Sequence, residues 1–288
     1  MDIILVFIAV AVVFFLIVMA IDCHRFVIKE YTCSSRKLYQ EGKVVLLSDL
    51  HNKVFGKNNE KLIEAIDKQN PNLIVIAGDM YTSSPKEDNA GAADFVCALA
   101  GKYPVYYGNG NHEHKTKLYT DVFGKRYQSY ANRLKEAGVV MLENERITLP
   151  AYNMEICGAE IGREYYGKFK TKKMPVSYME KLLGKVAENT FTLLIAHNPD
   201  YFETYASWGA DLTVSGHVHG GLMVLPFLGG VISPSLKLFP KYDGGEFRDG
   251  KHTMILGRGL GTHTLPIRIF NPGELVVIHI KPVAQKVD

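Results

Sequence analysis

Residues 43–51 read KVVLLSDLH, a short run of aliphatic and β-branched side chains followed at once by an aspartate and a histidine. A run of this kind is typical of a strand that is buried on both faces, as in the sheet of an α/β protein. Polar side chains directly after such a strand lie at its carboxyl end, where open α/β sheets form their sites. The stretch therefore predicts both a sheet and a place for chemistry.

The same pattern recurs four more times along the chain. The further strand-like runs, each followed by side chains that can bind a metal ion, are 72–77 before Asp79, 104–107 before Asn111, 191–196 before His197, and 211–215 before His217 and His219. Other strand-like runs lie at 139–142, 253–257 and 274–280, and helical patterns lie at 58–69, 90–101, 127–137 and 176–188. Strands that alternate with helices predict an α/β architecture.

The candidate ligands are imidazole, carboxylate and amide side chains: Asp49, His51, Asp79, Asn111, His197, His217 and His219. Imidazole and carboxylate are ligands that Zn, Fe and Mn prefer. No cysteine belongs to the set, which argues against a structural zinc site. A single aspartate or histidine at a strand end is more often a cap or a satisfied polar residue. Five strand ends in succession predict a metal site instead.

Five motifs resemble, in the same order, those of the calcineurin-like metallophosphoesterase family: DLH (49–51), GD (78–79), GNHE (110–113), His197 and GHVH (216–219). The resemblance covers roughly residues 43–280. It implies a hydrolase of phosphoesters with an α/β fold, a four-layer α/β/β/α sandwich of two mixed sheets. It also implies a dinuclear centre of two divalent metal ions, Mn, Fe or Zn.

The resemblance further implies a role for each site residue. The first ion would be held by Asp49, His51, Asp79 and His219, and the second by Asp79, Asn111, His197 and His217, with Asp79 bridging. His112 resembles the residue that contacts the phosphate and protonates the leaving oxygen, and Glu113 would orient His112. His114 and His263 could line the cleft, but lone histidines are more often ordinary surface or loop residues, so neither is taken as a ligand.

A narrower resemblance rests on GLGTHTLPIR (259–268), together with GHVHGG (216–221) and LPFLGG (225–230). These runs resemble a single-domain branch of bacterial membrane-associated phosphoesterases that includes UDP-2,3-diacylglucosamine pyrophosphatases. Leu222 stands where a glutamine is expected in that branch. The implied substrate is a nucleotide diphosphate on a lipid. Two alternatives stay open: a general phosphomonoesterase or phosphodiesterase for an envelope or small-molecule phosphoester, and a non-catalytic membrane-tethered scaffold.

The N-terminal run Ile3–Ile21 contains no charged side chain. As a helix it would span roughly 30 Å, the thickness of a bilayer core. A cleaved signal peptide would need a positive start and a small-residue exit, which Met1–Asp2 and the sequence around Cys23 do not offer. The expected organisation is a transmembrane anchor (1–22), a juxtamembrane linker (23–42) and a phosphoesterase domain (43–288).

Basic residues follow the apolar run, whereas none precede it: Arg25, Lys29, Arg36 and Lys37. The positive-inside rule therefore predicts a single-pass membrane protein whose catalytic domain lies in the cytoplasm. The net charge of +3 is too small to indicate a nucleic-acid partner. The four cysteines form no framework and are expected to be reduced thiols. The sequence carries no signal of an oligomeric state.

Two segments have two interpretations each. The apolar segment 222–232 is either a strand and turn of the second sheet or a surface that contacts acyl chains. The basic and aromatic segment 163–173 is either a solvated loop or a contact for anionic headgroups or substrate phosphate.

Overall fold

The structure is a computed structural model, and it describes residues 2–167, 172–221, 223–225, 229–231, 238–262 and 266–283. The helices within these ranges are α1 (Asp2–Asp22), α2 (Glu60–Gln69), α3 (Ala90–Ala100), α4 (Asn111–Leu118), α5 (Thr120–Phe123), α6 (Arg126–Glu136), α7 (Val176–Leu183) and α8 (Phe202–Trp208). The first seven strands are β1 (Phe26–Ser35), β2 (Gly42–Leu47), β3 (Leu73–Ile76), β4 (Val105–Tyr107), β5 (Val140–Met141), β6 (Glu145–Leu149) and β7 (Met154–Ala159). The remaining strands are β8 (Phe191–Ala196), β9 (Leu212–Ser215), β10 (Val224–Leu225), β11 (Gly229–Gly230), β12 (Gly245–Asp249), β13 (His252–Leu256) and β14 (Gly273–Pro282).

Two six-stranded mixed sheets form the centre of the fold. The first has the strand order β1-β14-β2-β3-β4-β5, in which β2 to β5 are parallel and β14 is antiparallel to β2. The second has the order β12-β13-β9-β8-β7-β6, with parallel strands in the middle and antiparallel pairs at both edges. The parallel strands bring the carboxyl ends of β2, β3 and β4 to one edge, and those of β8 and β9 to another.

The buried side chains show how the layers stack. Alternate residues of β2 point to opposite faces, as the pleat requires. Val45 and Leu47 pack with α2, α3 and α6, whereas Val44 and Leu46 pack against the second sheet. On the far side of the second sheet, Leu194 packs with α7 and α8. The order is therefore helix, sheet, sheet, helix, and the predicted α/β/β/α sandwich of two mixed sheets is confirmed.

The expected linker 23–42 is not a linker throughout. Phe26–Ser35 form β1, which pairs in parallel with β14 over its whole length. This strand lies at the edge of the sheet, so half of its residues are exposed, among them Lys29 and Glu30. An edge strand with charged side chains of that kind lacks the continuous apolar run by which a buried strand is recognised in a sequence. The folded body thus begins almost directly after α1.

Other differences concern short or amphipathic elements. The helix expected over 176–188 ends at Leu183, because Gly184 adopts a positive φ of 73° that stops it. Helices α4 and α8 and strands β6, β7 and β12 were not expected. The described part of 222–232 forms the separate two-stranded ribbon β10–β11 and does not join the second sheet. Leu222 and His263, like part of the basic segment 163–173, lie outside the described residues.

Helix α1 stands apart from the two sheets. Its segment Ile3–Asp22 is long and apolar enough to cross a membrane, and the 18 most apolar residues of this span are not buried within the protein. The last residue of the helix, Asp22, is by contrast only 3% exposed. The helix is therefore fixed to the folded body at its C-terminal end.

Candidate metal centre

The five groups of candidate ligands come together where the two sheets meet. Two hydrogen bonds cross from one sheet to the other at this point. The backbone N–H of His217, after β9, donates to Oδ1 of Asp49, after β2, at 3.0 Å. Nδ1 of His197, after β8, lies 2.5 Å from the carbonyl oxygen of Ala77, after β3. Ligands that are far apart in sequence thus share one cleft.

Three overlapping groups of side chains have ligand atoms within 4.8 Å of one another: Asp49, His51 and His219; His51, Asp79 and His112; and Asp79, His197 and His217. Six of the seven predicted ligands belong to these groups, and His112 lies among them. Asn111 supplies an amide and not one of the side chains that define the groups. Its Oδ1 atom is buried and accepts no hydrogen bond within the described part of the chain. A buried carbonyl oxygen of this kind fits a metal ligand.

The first group surrounds a point between two imidazole rings. Nε2 of His51 and Nε2 of His219 lie 3.2 Å apart, and the two rings stack at 5.0 Å. Nε2 of His219 is also 3.5 Å from Oδ1 of Asp49. These distances direct two nitrogens and a carboxylate oxygen to one place, as divalent-ion coordination requires.

Asp79 faces both ends of the cleft. Its Oδ2 atom is 3.0 Å from Nε2 of His197 and 3.9 Å from Nε2 of His51. Its Oδ1 atom accepts the backbone N–H of His112 at 2.8 Å. One oxygen of Asp79 is thus held by the backbone, and the other is directed between the two groups of histidines.

His197 shows most clearly that a cation fits here. A carbonyl oxygen only accepts hydrogen bonds, so the contact with Ala77 assigns a proton to Nδ1. Nε2 then turns toward the carboxylates of Asp79 and Asp49, at 3.0 and 3.8 Å. A lone pair facing two carboxylates is stable only with a proton or a metal cation between them. Histidine ligands of metal ions commonly donate their other N–H to a backbone carbonyl in this way.

The pKa shifts of the buried side chains also indicate that the site suits a cation. Burial raises the pKa of Asp49. Burial also acts to raise the pKa of Asp79, but the charges of His197 and then His112 lower it well below its usual range. For His197, burial acts to lower the pKa, and the neighbouring Asp79 carboxylate raises it. Buried carboxylates need a positive partner of this kind, and divalent cations supply one.

The backbone at the ligands is strained. Five of the candidate ligands adopt a positive φ: 51° at Asp49, 48° at His51, 55° at Asp79, 76° at His217 and 52° at His219. Non-glycine residues rarely adopt this conformation, which costs about 1–3 kcal/mol each and is concentrated at functional sites. Strain shared by five ligands indicates that the fold is built to aim these side chains.

Two glycines allow the loops to approach each other at the site. A Cβ atom on Gly110 would lie 2.2 Å from Oδ1 of Asp79, and one on Gly216 would lie 2.2 Å from Oδ2 of Asp49. Any other residue at either position would displace a candidate ligand. This explains why both glycines adjoin ligands in the sequence.

His112 lies at the edge of the cleft with a defined tautomer. Its Nδ1 atom accepts the backbone N–H of Ser83 at 2.8 Å and lies 2.9 Å from the Ser83 hydroxyl. Because the amide can only donate, the neutral ring carries its proton on Nε2. Nε2 is 4.0 Å from Oδ2 of Asp79. Burial lowers the pKa of His112, against the opposing effect of Asp79.

Glu113 has contacts different from those expected. Its carboxylate accepts the backbone N–H groups of Asp79, Met80 and Gly110 at 2.8, 2.9 and 3.1 Å, and the hydroxyl of Tyr107 at 2.8 Å. Burial, followed by the charge of Asp79, raises the pKa of Glu113. The expectation was that Glu113 orients His112. The described hydrogen bonds assign that contact to Ser83, and they make Glu113 the group that fixes the loop carrying Asp79.

Three residues near the site were not identified from the sequence as contributors. Ser83 carries no motif signal. Tyr166 packs its ring 5.3 Å from that of His217, and it lies in the basic segment whose role was left open. Asn271 is fully buried and donates from Nδ2 to the carbonyl oxygens of His219 and Gly221, at 2.7 Å each. Its only signal was its place just after the run 259–268.

The described part of the run 259–268 lies against the first ligand loop. The backbone N–H of Gly261 donates to the carbonyl oxygen of Asp49 at 2.7 Å. Arg268 is almost fully buried and donates to the carbonyl oxygens of Gly261 and Asn271. The described part of this run therefore stabilises the loop that carries Asp49.

Comparisons with known proteins agree with this geometry. The sequence profile of a family described as calcineurin-like phosphoesterase matches residues 42–221. An uncharacterized metallophosphoesterase of Bacillus subtilis, YkuE, is 27% identical, and the match covers 83% of this chain and 79% of that protein. A protein of Danio rerio named transmembrane protein with metallophosphoesterase domain is 26% identical, over 83% of this chain and 53% of that protein.

One relative has a named substrate. The UDP-2,3-diacylglucosamine pyrophosphatase LpxG of Chlamydia muridarum is 23% identical to this chain, and the match covers 82% of each protein. The narrower resemblance expected from residues 216–230 and 259–268 thus has a counterpart among the relatives.

Proposed function

This chain belongs to the calcineurin-like phosphoesterase family and is a metal-dependent hydrolase, and from that premise we propose that it cleaves a phosphoester or pyrophosphate bond at a membrane surface, with two divalent metal ions. The observation that supports this most strongly is the convergence of buried histidine and carboxylate side chains on one cleft. Coincidence does not account for five strained ligand residues at the ends of strands from two sheets.

The proposed ligand sets follow the described groups. Asp49, His51, Asp79 and His219 would hold the first ion, and Asp79, Asn111, His197 and His217 the second, with Asp79 shared. The distances at Asp79 and the burial of Asn111 Oδ1 support this division. Imidazole and carboxylate donors without thiolates suit Mn, Fe or Zn.

Two ions at such a site, when bound, polarise the phosphoryl group and activate the attacking water. The residues of the chain prepare the site for that chemistry. Glu113 ties Asp79, Met80 and Gly110 together, and Asp49 holds the backbone of His217. The ligands are therefore pre-arranged before a substrate arrives, which reduces the reorganisation needed during the reaction.

His112 is proposed to act on the leaving group. Ser83 holds Nδ1, so the ring presents Nε2 with its proton to the cleft. When the ring takes up a second proton at Nδ1, next to the Ser83 hydroxyl, the imidazolium can give its Nε2 proton to the oxygen that leaves phosphorus and return to the neutral form, as general acid catalysis requires. Glu113 contributes indirectly, as a positioning residue for the Asp79 loop.

The substrate is proposed to be a nucleotide diphosphate joined to a lipid, of the kind named for the Chlamydia relative, UDP-2,3-diacylglucosamine. Two features support a lipid-linked substrate. The chain carries a helix able to span a membrane, and that helix is attached to the body near the cleft.

Incubation of the full-length protein with cell lipid and nucleotide extracts tests the proposed function. The metal-loaded protein should consume a lipid-linked nucleotide diphosphate, identified by mass, and should hydrolyse a generic aryl phosphate. Chelation should abolish both activities and re-addition of Mn²⁺ should restore them, because the ligands are useful only with the ions in place. Hydrolysis of aryl phosphate without any lipid-linked product would restrict the function to soluble or envelope phosphoesters. Absence of both activities from the metal-loaded protein would favour the scaffold alternative.

The catalytic body is proposed to lie in the cytoplasm. Arg25, Lys29, Arg36 and Lys37 follow the apolar helix, and positive charges of this kind stay on the cytoplasmic side. Protease added to intact spheroplasts should therefore leave the body undigested, and permeabilised spheroplasts should lose it. Digestion in intact spheroplasts, or a mature N-terminus near Cys23, would contradict this orientation.

A further inference from the structure

The folded body contacts the side of the apolar helix α1 as well as its C-terminal end. The ring of Phe270 packs against those of Phe14 and Phe15 in α1, at 6.3 and 6.2 Å. Phe15 precedes the end of the helix at Asp22 by seven positions, which correspond to about 10 Å along the axis. Phe270 is 40% exposed. If α1 crosses a membrane, a residue of the body therefore lies at the level of its apolar segment.

Hydrogen bonds fix this arrangement at several points. Oδ2 of Asp22 accepts the backbone N–H of Asn271 at 3.1 Å. The thiol of Cys23 lies 3.3 Å from the carbonyl oxygen of Pro266. The backbone N–H of Gly273 donates to the carbonyl oxygen of Arg25 at 3.2 Å. The position of Phe270 beside α1 thus follows from a defined attachment, and not from ring contacts alone.

A series of paired backbone segments connects Ile269, the residue before Phe270, to two exposed apolar side chains. Val224 donates its backbone N–H to Ile269, Val231 donates to Met223, and Phe239 donates to Val231, at 3.0, 2.9 and 2.9 Å. Neighbouring paired segments lie about 4.8 Å apart, so the three pairings place Phe239 roughly 14 Å from Ile269. Leu238 and Phe239 at its end are 67% and 60% exposed. Large exposed apolar side chains on a segment connected to the one that packs against α1 indicate a surface that contacts another apolar phase.

The same segment supports the metal centre. Asn271, the residue after Phe270, donates from its side chain to the carbonyl oxygens of His219 and Gly221. The side chain beside α1 and the side chain that holds a ligand loop therefore belong to two adjacent residues. If Phe270 lies in the membrane, its depth therefore determines the distance between the membrane surface and the cleft.

We propose that the body rests in the bilayer surface through an apolar rim, defined as Leu238, Phe239 and Phe270, and that it takes as substrate an amphiphile whose phosphate lies at headgroup level. The inference rests on the proposed function. The occupant of the rim is the lipid bilayer that α1 crosses, because Phe270 packs against the apolar part of that helix and backbone pairing connects Phe239 to Ile269, the residue before Phe270. Interfacial apolar surfaces insert about 5–10 Å into the boundary between headgroups and acyl chains. At that depth the cleft meets the phosphate without withdrawing the acyl chains from the membrane.

Tryptophan fluorescence in vesicles tests the rim directly. The chain has a single tryptophan, Trp208, which is 6% exposed, so an introduced tryptophan adds a distinct signal. The full-length variants Phe239→Trp and Phe270→Trp would each be reconstituted in phosphatidylcholine vesicles with and without lipids brominated on the acyl chains. Both variants should lose most of their added emission to the brominated lipid. Acrylamide, a quencher that stays in water, should have little effect on either.

Tyr39→Trp is the matched control. Tyr39 is 72% exposed and follows β1, whose 10 residues lead away from α1 over about 33 Å. Its emission should respond to acrylamide and not to brominated lipid. If Phe239→Trp behaves like Tyr39→Trp, the rim lies in water or against a protein, and the proposal is wrong. No turnover is measured, so this outcome is independent of whether the proposed substrate is hydrolysed.

Discussion

Replacement of Asp79 by asparagine is expected to lower kcat by at least about 10³-fold, because several kcal/mol of metal-dependent stabilisation of the transition state depend on this carboxylate. The Oδ2 atom of Asp79 lies 3.0 Å from Nε2 of His197 and 3.9 Å from Nε2 of His51, so it faces histidines of both proposed ligand sets. The amide of asparagine has nearly the same shape but no charge, so it cannot bridge two cations. The measurement is the steady-state hydrolysis of an aryl phosphate together with the metal content of the purified protein.

The control is Asp249→Asn, which makes the same chemical change on an exposed side chain at the end of β12. Its kcat and metal content should equal those of the wild type. Circular dichroism of Asp79→Asn should also match the wild type, since the variant removes one of several buried carboxylates that repel each other without a metal ion. Near-normal turnover and metal content in Asp79→Asn would show that Asp79 does not bridge two ions.

Replacement of His112 by asparagine is expected to lower kcat by roughly 10²–10⁴-fold, the usual contribution of a general acid. The loss should be large for alkyl phosphates and smaller for p-nitrophenyl phosphate, whose leaving group needs no proton. The metal content should stay nearly unchanged, although His112 lies in one of the three groups of possible ligands. The comparison of the two leaving groups separates a proton donor from a ligand.

Ser83→Ala provides the matched control for His112. It removes the hydroxyl near Nδ1 but keeps the backbone N–H that determines the tautomer. One ordinary hydrogen bond contributes about 1 kcal/mol, so kcat should fall only about five-fold. Equal losses for alkyl and p-nitrophenyl leaving groups in His112→Asn would rule out the acid role.

The sequence was sufficient for the architecture and for the location of the site. Strands such as KVVLLS are buried on both faces, so their apolar runs are continuous and easily identified. Ligands that follow directly after such strands are placed by the sheet itself. This explains why residues as distant as Asp49 and His219 could be assigned to one cleft before any geometry was known.

Other features depend on tertiary contacts that no local pattern reveals. β1 has mixed polarity, and it is a strand only because β14 lies beside it. Glu113 adjoins His112 in sequence, yet its carboxylate turns to the backbone of the Asp79 loop. Asn271 acts through three partners that are distant in sequence: Asp22, His219 and Gly221. In each case the role is set by a partner and not by the residue's neighbours along the chain.

The attachment of α1 also changes how a truncated protein should be made. Asp22 is a buried partner of Asn271, which in turn holds the loop of His219. A soluble form should therefore keep the last turn of α1, so that this hydrogen bond remains. Cutting after Asp22 would remove the hydrogen bond between Asp22 and Asn271. The side chain of Asn271 in turn donates to the backbone of His219, a candidate ligand.

Seven side chains are proposed to hold two metal ions in the cleft between the sheets. The most direct measurement is elemental analysis of the purified full-length protein after saturation with Mn²⁺ and removal of unbound metal. The wild-type chain should hold two ions, and the Asp79→Asn chain should hold fewer. A wild-type protein that holds one ion or none under these conditions would contradict this proposal.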